Sequence, residues 1–231
     1  MKIKYDVKKI KDIKADIVSS VTFEDQVSTK MHWLNTLFKG TLDTLIETND
    51  FKAKASTSIL TYLGPDNRSK RLMVIGLGNS KEITLEGIRK SYATAAKKLN
   101  AMKLTSVGFE VPDLAYIKSV TNASHYDIMQ AICEGVFLTQ YSPKKYHAKS
   151  DFVPFNEVIF FTDSPKYTRE AQEALKDAKV ICDAAIVARE LENEPSNFLT
   201  PDKFAEYVKK SSIKAGYQVT VFDEKKIAQL N

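Results

Sequence analysis

The run Arg71-Leu-Met-Val-Ile-Gly-Leu-Gly78 restricts the fold more than any other stretch of this chain. Successive residues of a strand face opposite sides, so consecutive apolar side chains require cover on both faces. That is the situation of a central strand in a largely parallel sheet, sandwiched between helical layers.

The surrounding pattern agrees with it. Residues 2–7, 16–23, 58–62, 106–111 and 157–162 have the β-branched or alternating character of strands, and Pro112 closes the fourth. Between them, apolar residues recur every three or four positions. Met31, Leu34, Phe38, Leu42 and Leu45 predict one amphipathic helix over 28–48, bent at Gly40. Leu85 to Leu99 gives the next helix, and residues 122–139 another, burying Tyr126, Met129, Ile132, Cys133, Val136 and Phe137. Strands separated by helices of this length imply an α/β fold with a mixed or parallel central sheet flanked by helices.

From residue 166 the pattern changes to one long Ala-rich helix, with Ala171, Ala174, Ala178, Cys182 and Ala185 on a single face. Thr200-Pro201-Asp202 then supplies an N-cap, a first-turn proline and an acidic residue at the positive helix end. The helix so started is expected to bury Phe204, Tyr207 and Val208, and residues 218–222 to form a strand. This divides the chain into residues 1–165, a linker helix over 166–193, and an incomplete second α/β domain over 194–231.

Composition excludes several classes. The chain has 231 residues, 43% of them hydrophobic and 27% charged, which suits a folded domain. No apolar run approaches the roughly 18–20 residues that span a bilayer, and the N-terminus lacks a signal-peptide core, so the cytoplasm is the expected compartment. Cys133 and Cys182 read as buried small hydrophobes rather than a disulfide framework. The net charge of +5 is dispersed; a nucleic-acid binder concentrates it with aromatics. Lys144, Lys145, His147 and Lys149 form the densest basic group, and a solvated loop is favoured there over a phosphate patch.

Chemistry-bearing motifs are sparse. Gly76-Leu77-Gly78 lacks the third glycine of a dinucleotide fingerprint, since Lys81 occupies that position, so a tight strand exit is the better reading. His32, His125 and His147 have no short-spaced ligand partner. Asp183, Arg189, Glu190, Glu192 and Glu194 read as a solvated helix face. No catalytic, cofactor-binding or metal-binding residue is assigned.

The segment Ala188-Arg-Glu-Leu-Glu-Asn193-Glu-Pro195-Ser-Asn197-Phe-Leu-Thr200-Pro201 resembles the junction that precedes the catalytic domain in leucyl (cytosol) aminopeptidases. Weaker similarity runs through Gly40-Thr-Leu-Asp-Thr-Leu, Asp50-Phe-Lys-Ala53-Lys (where glycine is frequent at Ala53), Arg71 to Gly78 and Ala131-Ile-Cys-Glu-Gly135. The resemblance implies a macro-domain-like N-terminal domain and, in full-length members, a hexamer. It also implies a C-terminal domain whose two divalent metals (zinc, manganese or magnesium) support removal of N-terminal residues, often leucine, from peptides. The family's metal-binding motifs do not occur in this sequence, so the 231-residue chain is expected to be inactive alone. It is read as the N-terminal portion of such an enzyme, with a non-enzymatic assembly module as the alternative. In that alternative the face around Ala174, Ala178 and Ala185 needs a partner. Binding of ADP-ribose-type ligands or nucleic acid is a weaker third reading.

Overall fold

The structure, a computed structural model, describes residues 1–143 and 152–230. These residues divide into two compact units, Met1–Ile186 and Val187–Asn231.

The first unit is built on six strands: β1 (Lys2–Val7), β2 (Ile17–Thr22), β3 (Ser58–Tyr62), β4 (Arg71–Gly76), β5 (Ser106–Glu110) and β6 (Glu157–Thr162). Their order across the sheet is β1-β6-β5-β2-β4-β3. All neighbours pair in parallel except β3, which runs antiparallel to β4. Alternation along the strands feeds two separate cores. Met73 and Ile75 of β4, with Ile17, Val21, Phe109 and Phe160, face one layer, while Leu72 and Val74, with Val18, Ile159 and Phe161, face the other. The both-face burial that the sequence of β4 demands is therefore real.

The larger layer holds α3 (Leu85–Ala101), α4 (Leu114–Thr121), α5 (His125–Phe137) and the first part of α6 (Thr168–Glu192). The opposite layer holds α1 (Val27–Leu37) and α2 (Asp43–Thr48). The single bent helix expected over 28–48 is two helices. Lys39 and Gly40 both take positive φ (55° and 82°), which ends the first, and Asn35 closes the corner by accepting from the Leu42 N–H at 2.7 Å. Met31, Leu34, Phe38 and Leu42 nevertheless all reach the core, so the periodicity survives the break.

α5 starts later than residue 122, at a capping box between Ser124 and Asp127. Residues 114–121 form a separate helix that periodicity did not reveal; Asp113 caps it by accepting from the N–H groups of Ala115 and Tyr116. α3 and α5 pack closely at Gly135, where an added Cβ would lie 2.5 Å from the Arg89 carbonyl oxygen.

The Ala-rich face of α6 is not open. Ala171, Ala174, Ala178 and Cys182 are fully buried in the larger core, so most of the face expected to need an outside partner is covered by the chain itself. Cys133 is buried as well, and neither cysteine is in a disulfide. Burial, with Cys182 nearby, pushes the Cys133 thiol well above its ordinary pKa, which makes it inert.

The second unit contains α7 (Pro201–Ala215) and α8 (Glu224–Ala228). Thr200 caps α7 and Gly216 ends it at φ +76°, as its sequence dictates. Two expectations fail here. Phe204 and Tyr207 are exposed, and residues 218–222 form no strand among the described residues, because a strand needs a neighbour to satisfy its backbone.

Candidate functional site: a cleft at the carboxyl ends of the strands

Because β1, β6, β5, β2 and β4 are parallel, their carboxyl ends share one edge of the sheet. The chain places β4 on one side of β2 and β5 on the other, so β2 is a topological switch point, where a crevice opens. The register shows how. β5 pairs with β2 only through Ile17–Ser19, then follows β6, and the Val111 N–H donates to the Phe161 carbonyl at 2.7 Å.

The gap this leaves is bridged by Glu110, the last residue of β5. Its carboxylate accepts from the Val21 N–H at 2.9 Å and the Ser20 hydroxyl at 2.5 Å. Lys30, in the first turns of α1, donates to both carboxylate oxygens at 2.9 and 3.1 Å and lies 4.6 Å from the Trp33 ring centroid. A backbone donor that would have continued the β ladder is thus satisfied by a side chain.

The resulting cleft has a volume of about 820 Å³. Phe23 and Tyr116 meet edge to face across 5.6 Å on its wall. Asp25 accepts from the Ser80 hydroxyl and N–H at 2.7 and 3.1 Å; these bonds, with Lys81 nearby, hold its carboxyl below the usual range. Tyr167 lines the rim at φ +61°, a conformation uncommon for a bulky residue, and stacks on His125 at 3.6 Å. Tyr5 also borders the cleft; burial, with Cys133 nearby, pushes its phenol up to about 12.

Of the described residues singled out from sequence spacing, Leu77 of the Gly76-Leu77-Gly78 run lines this cleft, and the histidines and the charged end of α6 do not. His32 is exposed on α1, His125 reaches the rim through Tyr167 alone, and His147 lies outside the described residues, as does the whole Lys144, Lys145, His147, Lys149 group. Asp183 pairs with Lys179 one turn away, and Glu190 and Glu192 are exposed, as a solvated face requires. The glycines at 76 and 78 serve the fold. A Cβ on Gly76 would meet the Ala53 and Lys54 backbone at 2.4–2.5 Å, and Gly78 takes φ +82° beneath Ala55. The signal missed in the sequence was positional: Glu110, Asp113 and Asp163 all stand just where a parallel strand stops.

Among the described residues, no group of three or more His, Cys, Asp or Glu side chains could hold a metal ion. The chain's own described residues therefore do not fit a two-metal centre. No helix among them is long and apolar enough to cross a membrane.

Comparison with known proteins decides the family. Residues 20–150 match the model of the cytosol aminopeptidase family, N-terminal domain. The chain belongs to the cytosol aminopeptidase family. A probable cytosol aminopeptidase of Thermosynechococcus vestitus is 32% identical over 190 residues, covering 81% of this chain and 35% of that relative. One from a Sulfurihydrogenibium species is 24% identical over 233 residues, covering 100% of this chain and 45% of the relative. The chain thus spans less than half the length of these cytosol aminopeptidases. A mutant of tomato leucine aminopeptidase shares the fold, with a TM-score of 0.82 at 19% identity over 100% of this chain and 46% of that one. So does the bottromycin maturation enzyme BotP in complex with Mn, with a TM-score of 0.64 at 19% identity over 94% of this chain and 40% of that one.

Proposed function

We propose that this chain supplies the N-terminal, non-catalytic part of a metal-dependent leucyl aminopeptidase that removes leucine and other residues from the amino ends of peptides. The match of residues 20–150 to the N-terminal domain of the cytosol aminopeptidase family carries this reading. On it, residues 1–165 form the N-terminal domain, 166–193 link it onward, and 194–231 open the catalytic domain. The two divalent metals, the hexameric assembly and the cytoplasmic location belong to the same proposal. BotP in complex with Mn supports the metal dependence, because that protein shares this fold. Hydrolysis needs carboxylates that hold metals to activate water and polarise the peptide carbonyl. Such a grouping is not formed by the described residues.

The test is an assay of the purified 231-residue chain on leucyl-p-nitroanilide with added manganese or zinc. The Thermosynechococcus relative serves as the positive control. The expected result is turnover by the relative, abolished by chelator, and none by the chain. Chelator-sensitive hydrolysis by the chain itself would overturn the division of labour.

A further inference from the structure

At β3 the sheet ends in an unpaired edge, and the peptidase reading gives that edge no task. β3 stands last in the strand order, so one of its sides has no neighbouring strand. The register identifies the backbone groups that face outward. The Gly76 N–H donates to the Thr57 carbonyl and the Leu63 N–H to the Lys70 carbonyl, both at 2.9 Å. Bonded and non-bonded pairs alternate along an antiparallel ladder. Ile59 and Thr61 therefore bond to Val74 and Leu72 of β4, while Ser58, Leu60 and Tyr62 turn their N–H and C=O groups to the free side. Among the described residues only the Lys98 ammonium reaches one of these groups, the Ser58 carbonyl at 3.4 Å, beside the Ser58 hydroxyl at 3.0 Å.

Edge strands are ordinarily guarded by charged side chains, proline or a bulge within the strand. Ser58-Ile-Leu-Thr-Tyr62 has no charge and no proline, and its register with β4 is unbroken. Ile59 and Leu60 pack one against each core, so the edge is held in place before anything binds. The surroundings select the charge of a partner. Lys98 of α3 stands at the Ser58 end. Beyond Tyr62, the turn carries exposed Arg68 and Lys70, whose ammonium bonds to the Pro65 and Asn67 carbonyls. From residue 51 to residue 71 the sole acidic side chain is Asp66, which faces Lys39 at 3.8 Å. A second copy pairing through β3 sets this basic edge against itself, on a chain of net charge +5, and like charges across strands repel.

We propose that the free edge of β3 takes up an internal, extended segment of an acidic protein as a seventh strand. Main-chain bonds to Leu60 and its outward-facing neighbours hold the segment, and carboxylates at its two ends meet Lys98 and the turn that bears Arg68 and Lys70. This recognition uses neither a free amino end nor a bound metal, so it stands or falls separately from the peptidase reading.

Titration of the full chain with the doubly blocked peptide acetyl-Glu-Thr-Val-Thr-Val-Glu-amide tests it, because a blocked amino end removes the peptide from aminopeptidase chemistry. Saturable binding is expected, and the same peptide with lysines for its glutamates should bind about ten-fold more weakly, since two exposed ion pairs become two repulsions. A version N-methylated at alternate residues, which cannot donate to a strand edge, should not bind. Amide hydrogen exchange reads the location: the peptide should slow Leu60 and Tyr62 about five-fold or more and leave Ile59 and Thr61, already bonded to β4, unchanged. Lys98→Glu is expected to weaken the acidic peptide about five-fold, the upper end for one exposed pair, with an unaltered unfolding temperature to verify that the variant folds. The proposal is overturned by equal binding of the lysine or N-methylated peptide, by protection that spares Leu60, or by no binding. It is equally overturned if light scattering shows a dimer in which Leu60 is protected without peptide, since a second copy then occupies the edge.

Discussion

Asp16 shows how much one side chain settles at the opposite, amino-terminal edge of the sheet. Its carboxylate accepts from the Thr105 and Ser106 N–H groups, both at 2.9 Å, and so locks the start of β2 to the start of β5. Burial pushes its pKa up, but those bonds, the Thr105 hydroxyl and the Arg71 charge together hold it below the ordinary value. Asp16→Ala is expected to cost about 2 kcal/mol at neutral pH, the scale of hydrogen bonds to a charged group. A folded-state pKa below the unfolded one gives stability that is fully present above the unfolded value, about 3.9. It is lost as pH falls through the lower folded value. Urea unfolding at a series of pH values should therefore show a constant gap between wild type and variant down to about pH 4, then a closing one. A gap independent of pH would mean that the charge is not what matters.

At the scale of elements, the α3–α5 contact sets two rules against each other. Alanine is a better helix former than glycine by about 1 kcal/mol, so propensity alone favours Gly135→Ala. The Arg89 carbonyl at 2.5 Å and the Tyr92 Cβ at 3.2 Å from the added methyl forbid it unless the helices part. Overpacking against backbone costs about 1–3 kcal/mol, so a net loss of stability is expected by chemical denaturation; a gain would show that the helices slide apart freely. The same contrast separates what could be read in the sequence from what could not. β4, α3 and the Met31–Leu42 face were legible because their periodicity repeats over many residues. α4 was missed because eight residues carry little periodic signal, although Pro112-Asp113 marks its start. The strand expected over 218–222 has no partner strand among the described residues, and a strand requires one. The cleft was illegible for a different reason: its residues come from the ends of five strands, and adjacency there is created by topology rather than by spacing.

At the scale of the whole molecule, the two units differ in how they are held. The first has two cores, one on each face of the sheet. In residues 187–230 no side chain is buried, and Ile213 is 84% exposed. α7 is well capped, but most helical stability in proteins comes from packing of an apolar face. Native-state hydrogen exchange is therefore expected to protect β2, β4, β5 and α3 up to the global unfolding limit. Amides of residues 201–215 should exchange by local opening, many-fold faster. Equal protection in both units would contradict this division.

The segment at Ala53–Ala55 that lies over Gly76 and Gly78 has a consequence for how this scaffold could change its repertoire. It is a built-in plug, seated where a glycine-rich phosphate loop after this strand would need bare backbone. Introducing more glycines after β4 would not open that place, since the obstruction is main chain contributed by another loop. Acquiring an anion site there calls for shortening or displacing the connection before β3, an insertion-or-deletion event rather than a point substitution. That barrier separates this chain from phosphate-binding chemistry more firmly than any missing side chain does.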